Sequence, residues 1–151
     1  MKKVTGFFAM LIGFFCYSQI TVATISSDGT IRLTDEFQKV KTHFSSTLKA
    51  QNNAAILIDY QIKSDRSDSG KEYYYVLGRN EDNTVKVAHR LQLMQSSFIY
   101  DFNDSGGTTT CSGCPSGCNP KLGSDGYYYC TPCTDNSTNC SKSTTVGTNY
   151  P

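Results

Sequence analysis

Charge of one sign, histidine, catalytic motifs and membrane-length apolar runs are what this chain has least of. Its 14 Lys and Arg stand against 13 Asp and Glu, a net charge of +1. Loss of an N-terminal leader carrying Lys2 and Lys3 would leave 12 against 13, a net −1. Without a basic field to gather phosphate, nucleic acid is excluded as an expected partner. Only two histidines occur, His43 and His89. Each sits among apolar residues of a helix or strand pattern and reads as a structural imidazole. No Ser/His/Asp spacing, paired-carboxylate motif, phosphate loop or His-rich box is present. The chain is therefore expected to be no enzyme and to need no cofactor. Val4 to Phe15 is apolar but short for a membrane span.

A further shortage lies at the C-terminal end. Residues 103–151 hold 7 of the 12 glycines and all 4 prolines. Their larger apolar side chains are little more than Leu122, Val146, Tyr127, Tyr128, Tyr129 and Tyr150. So few cannot order such a segment by burial alone, so crosslinks are expected to hold it. Six of the 7 cysteines lie here, spaced C-x2-C-x3-C-x11-C-x2-C-x6-C from Cys111 to Cys140.

The other end reads as a signal peptide over residues 1–18: charged Lys2 and Lys3, the Val4–Phe15 h-region, then small Ser18 before cleavage. Lipidation at Cys16 is the alternative, against which Phe15 stands where a lipobox wants a small residue. Cleavage beyond Cys16 leaves an even set of six cysteines, suited to an oxidising compartment. The mature chain is then expected in the periplasm or outside the cell, with no transmembrane span.

Three chemistries fit those six cysteines. The preferred one is a disulfide framework of Cys111, Cys114, Cys118, Cys130, Cys133 and Cys140, for which spacing leaves fifteen pairings open. The second is a zinc ribbon. Cys111, Cys114, Cys130 and Cys133 form C-x2-C-x15-C-x2-C, and two such knuckles supply a tetrahedral thiolate set. Oxidation outside the cytoplasm disfavours it. The third is thiol–disulfide exchange at Cys111–Cys114 or Cys130–Cys133, which lack the helix that would lower a thiol pKa.

Between the two ends, the pattern predicts an α+β domain over 19–102. Ile20–Ile25 alternates as a strand, and Ile31 and Leu33 suggest a short second one. Leu33, Phe37, Val40, Phe44 and Leu48 recur as one helical stripe, with Thr34 as a candidate cap and Asn52-Asn53 as a stop. Alternation then marks strands around Ile56–Ile62, Tyr73–Leu77, Val85–Leu93 and Phe98–Phe102, joined by short turns. One amphipathic helix on an antiparallel sheet of about four to five strands is expected, followed over 103–151 by a small irregular Cys-rich module. That module is expected to be ordered between Cys111 and Cys140 and loose from Lys142 onward. The element order resembles the cystatin arrangement. The turn that would correspond to the inhibitory hairpin reads Leu77-Gly78-Arg79-Asn80, so protease inhibition is only a remote alternative.

Two tyrosine triplets, Tyr73-Tyr74-Tyr75 and Tyr127-Tyr128-Tyr129, are the candidate contact surface. Alternation places Tyr74 opposite its neighbours, on a sheet face that either meets a partner or is covered by the cysteine module. Covering is preferred, because the module has little else to bury.

The tail, with CSGC, then GCNP, then YYYCTPC, then NCSKS, resembles a recurring C-terminal segment of small secreted proteins of the Flavobacteria and their Bacteroidetes relatives. The resemblance spans the leader and residues 73–145. It implies export and a fixed cysteine pattern, and it carries over no catalytic residue. The expected function is non-enzymatic binding or structural duty outside the cytoplasm, with an extracellular or periplasmic protein as partner. A zinc-stabilised module is the alternative.

Overall fold

A computed structural model describes residues 18–133, 135 and 140–147. The expected leader with Cys16, and residues 148–151, lie outside the described residues. The elements are β1 Gln19–Ile25, β2 Ile31–Leu33, α1 Phe37–Ala50, β3 Asp59–Arg66, β4 Glu72–Arg79, β5 Val85–Met94, β6 Ser97–Asp101, β7 Thr108–Ser112, β8 Pro120–Leu122, β9 Tyr128–Cys130 and β10 Ser141–Thr145.

The expected α+β domain of one helix on about four to five strands is corrected. Among the described residues the fold is mostly β, a curled antiparallel sheet of eight strands and a two-stranded β8–β9 sheet, with a single short helix. Strand β5 organises it. Residues 86–91 pair with β4 on one edge, while residues 85–89 pair with β7. Because those ranges overlap, β7 takes the opposite edge. Residues 91–94 of β5 pair with β6 on that same opposite edge. Strands β6 and β7 therefore lie end to end along β5, interrupted by residues 102–107. Strand β1 pairs outside β6, and β10 outside β7.

The cysteine segment is thus no separate irregular appendage. Its residues supply β7 and β10 to the sheet, and the stretch expected to be loose from Lys142 contains most of β10. Thr108, Thr109 and Thr110 are at most 2% exposed, the strand core of this segment. Threonine is β-branched and fits a pleated sheet, but it leaves no mark in a hydrophobic pattern. Hence β7 escapes a reading built on apolar alternation.

Helix α1 buries Phe37, Val40, His43, Phe44, Thr47 and Leu48. These join Val76, Val85, Val87, Leu91, Phe98, Tyr100 and Phe102 in the main core. Leu33 is not on the helical stripe; it lies on β2, 54% exposed. Thr34 does not cap the helix either, since its hydroxyl donates to the Thr21 carbonyl at 2.7 Å. Strand β3 begins three residues after Ile56. Ile56 and Ile58 point outward at 78% and 62% exposure. Leu57 instead reaches the core near Gly78, where an added Cβ would lie 3.0 Å from Leu57 Cδ1 and from Phe44 Cδ2. A missing side chain at position 78 is what admits these two.

Candidate functional site

The six cysteines form three disulfides, Cys111–Cys130, Cys114–Cys133 and Cys118–Cys140, with Cα separations of 5.6, 5.6 and 6.3 Å. Neither C-x-x-C closes on itself; each cysteine of one pair is bonded to a cysteine of the other. The four residues of the zinc-ribbon spacing are therefore bonded knuckle to knuckle. A sulfur in a disulfide is not a thiolate and binds no metal as one. The grouping closest to a metal-ligand set is a different one: the Sγ atoms of Cys114, Cys118 and Cys140 lie within 4.8 Å of one another. Crosslinks of this kind belong to an oxidising compartment. Among the described residues no helix is long and apolar enough to cross a membrane.

The disulfides anchor both ends of the β8–β9 hairpin, at Cys118 before β8 and Cys130 within β9. The hairpin lies on the sheet face opposite α1. Leu122 and Tyr128 bury there against Tyr73, Tyr75 and Ala88. Tyr73 and Tyr75 stack at 5.3 Å, and Tyr128 meets them edge-on at 6.1 and 6.4 Å. The Leu122 amide donates to the Tyr73 hydroxyl oxygen at 3.3 Å. Burial raises the pKa of all three phenols, that of Tyr73 to about 12.

The two tyrosine triplets therefore separate. The face covered by the cysteine segment is that of Tyr73 and Tyr75. Tyr74 turns to the helix side, 5.4 Å from the Phe98 ring. Both sheet faces are apolar along β4, so alternation marks the strand without saying which face meets the helix. Tyr129 donates to Asp68 Oδ1 at 3.1 Å. Tyr127 is 52% exposed.

Beside this layer runs a groove of about 490 Å³ that sequence reasoning missed. The β4–β5 ladder ends at the pair Tyr74↔Leu91. Beyond it Glu72 and Tyr73 pair only with β3, and Gln92–Met94 only with β6. The groove lies where this ladder stops, and the hairpin tip Gly123–Gly126 lines it as well. Ser67, Lys71, Arg90 and Asp125 supply its polar lining, and Leu91 and Leu93 its apolar part. The one sequence signal available was the polar loop Ser64–Gly70.

The two histidines lie in the main core, 6% and 1% exposed for His43 and His89. His89 Nε2 lies 2.9 Å from the Asp101 carbonyl, which only accepts, so Nε2 carries the hydrogen. Nδ1 of the neutral ring then accepts from the Thr108 hydroxyl at 2.9 Å. That leaves the Thr108 oxygen to accept from His43 Nε2–H at 3.2 Å. His89 also stacks on Tyr100 at 4.0 Å. Burial pushes the His89 pKa down to about 4, against the opposing charge of Asp104, and lowers that of His43. Asp104 itself is gripped by Arg90 through both oxygens, at 3.2 and 2.8 Å, and accepts from the Gly106 amide at 3.0 Å. This pins residues 102–107 between β6 and β7.

No protein-family model, curated protein or solved structure matches the chain.

Proposed function

We propose that the chain is an exported, non-enzymatic binding protein, and that its groove takes an extended peptide segment of an extracytoplasmic protein. The observation that carries this is the end of the β4–β5 ladder at Tyr74 and Leu91, beside the groove. It leaves one edge of Glu72–Tyr73 and one of Gln92–Met94 without ladder partners, and an added strand satisfies such edges through main-chain hydrogen bonds. Serine hydroxyls, Lys71 and Asp125 would select side chains. Disulfides at both ends of the hairpin fix that part of the lining in advance, which limits the ordering cost of binding. The non-enzymatic part rests on the two histidines. Both are buried and tied to Thr108, so neither is presented to a substrate as a general base. Export rests on the leader, the resemblance of the tail and the disulfides.

The test is selection of a random-peptide library on the oxidised chain, followed by amide chemical-shift mapping of the selected peptides. Shifts at Glu72, Tyr73, Gln92 and Leu93, with weaker binding in Lys71→Ala and Asp125→Ala, are expected. Selected peptides whose shifts fall elsewhere overturn the groove assignment.

The competing zinc-stabilised reading has one observation in its favour, the closeness of the Cys114, Cys118 and Cys140 sulfurs. It requires Cys114–Cys133 and Cys118–Cys140 to be open as thiolates. Native mass with one zinc ion, and four alkylatable thiols after denaturation, at Cys114, Cys118, Cys133 and Cys140, would side with it.

A further inference from the structure

The three close sulfurs belong to two different disulfides. Cys114 is bonded to Cys133, and Cys118 to Cys140, yet Cys114, Cys118 and Cys140 Sγ lie within 4.8 Å of one another. The loop between Cys114 and Cys118, Pro115-Ser116-Gly117, explains the approach. It closes as a turn, with the Gly117 amide donating to the Cys114 carbonyl at 3.0 Å. Gly117 has φ +77°, and an added Cβ would lie 2.6 Å from the Asn83 carbonyl oxygen. Position 117 therefore demands glycine, and the reversal it makes sets Cys118 back beside Cys114.

Access to these sulfurs is uneven. Cys114, Cys118 and Cys133 are 1%, 1% and 4% exposed. Cys140 is only partly buried. A thiol arriving from solvent can therefore reach the pair of disulfides at Cys140, while Cys114–Cys133 is closed to it.

We propose that Cys114, Cys118 and Cys140 form a disulfide relay, entered by a low-molecular-weight or protein thiol at Cys140. The external thiolate attacks Cys140 Sγ. A mixed disulfide forms, the Cys118–Cys140 bond breaks, and its electron pair leaves on Cys118. The Cys118 thiolate then attacks Cys114 Sγ. The Cys114–Cys118 bond forms, the Cys114–Cys133 bond breaks, and Cys133 departs as a thiolate that takes a proton from solvent. A second external thiolate attacks the external sulfur of the mixed disulfide and releases Cys140. In sum two external thiols are oxidised to one disulfide, and one protein disulfide is reduced to the thiols of Cys133 and Cys140.

The relay has a structural consequence that direct reduction lacks. Crosslinks spanning sequence separations of 19 and 22 residues are replaced by one local loop. Both covalent ties on the stretch that leads into β10 are lost together. Among the described residues strand β10 is an edge strand that pairs only with β7, so its release bares the β7 edge of the sheet. One disulfide, reached from solvent only at Cys140, thus controls a whole strand.

The test uses the full oxidised chain under native conditions, with glutathione near neutral pH, rapid alkylation and peptide mapping. Expected in the first reduced species is loss of the Cys114–Cys133 and Cys118–Cys140 pairs. A Cys114–Cys118 crosslink should appear, with Cys133 alkylated and Cys140 alkylated or glutathionylated. A first species with Cys118 and Cys140 modified and Cys114–Cys133 intact overturns the relay, as does initial opening of Cys111–Cys130. In Cys140→Ser, where Cys118 has no partner from the start, the purified protein should carry Cys114–Cys118 with Cys133 alkylatable. Alkylation of Cys118 alone in that variant also overturns it.

Discussion

Acid should loosen this protein in a window that the carboxylates cannot account for. The perturbation is a fall from pH 7.5 to 4, and the group that responds is His89. Its pKa is 6.5 when exposed and about 4 in the folded core. A histidine whose folded pKa is depressed binds fewer protons folded than unfolded between those two values. Stability is therefore full above about pH 6.5 and falls as pH drops toward 4, the sign required when the unfolded state is the better proton acceptor. A fall from 6.5 to about 4, at about 1.4 kcal/mol for each pH unit, is worth roughly 3 kcal/mol, most of it lost by pH 4. Burial of His43 acts in the same direction. The turn carboxylates Asp28 and Asp82, held below the usual value by hydrogen bonds from Thr30 and Thr84, titrate beneath this window. The assay is urea unfolding at a series of pH values with disulfides intact, followed by near-UV circular dichroism of the 10 tyrosines, since the chain has no tryptophan. A loss of about 3 kcal/mol at constant m, much reduced in His89→Gln, is expected. A free energy level to within about 0.5 kcal/mol from pH 7.5 to 4 would refute the reasoning.

Other expectations follow from single contacts. Gly78→Ala should cost about 1–3 kcal/mol in the same unfolding assay, because the methyl meets Leu57 and Phe44 at 3.0 Å inside a packed core. Thr110→Val should leave the fold intact and stabilise it by about 1 kcal/mol, since Thr110 Oγ1 is buried without a hydrogen-bond partner. Arg90→Ala should cost about 1–3 kcal/mol, because it strips a charged partner from Asp104, whose side chain is 8% exposed. Faster amide hydrogen exchange at Gly106 and Gly107 should accompany that loss. On the alkaline side, the raised phenol pKa of Tyr73, Tyr75 and Tyr128 means that stability holds below pH 10 and falls as pH rises past it. Absorbance titration at 295 nm should then show tyrosines that ionise only together with unfolding.

Local chemistry settled much of this protein before any tertiary contact formed. The helix stripe Phe37–Val40–Phe44–Leu48, the short turns between β4, β5 and β6, and the poverty of apolar side chains after residue 103 are properties of neighbours along the chain. That poverty alone required the six cysteines to be tied. Three decisions lay beyond it. Fifteen pairings were open by spacing, and only the packing of β7 against the β8–β9 hairpin brings Cys111 to Cys130 and Cys114 to Cys133. Threonines 108–110 are silent in a hydrophobic pattern, so their place in the sheet depends on β5 offering a free edge and, for Thr108, on His43 and His89 offering partners. And alternation gives a strand two faces without naming either. What turned Tyr74 toward the helix and Tyr73 and Tyr75 toward the hairpin is the gap at Gly78, which Phe44, Leu57 and Tyr60, arriving from elsewhere in the chain, fill.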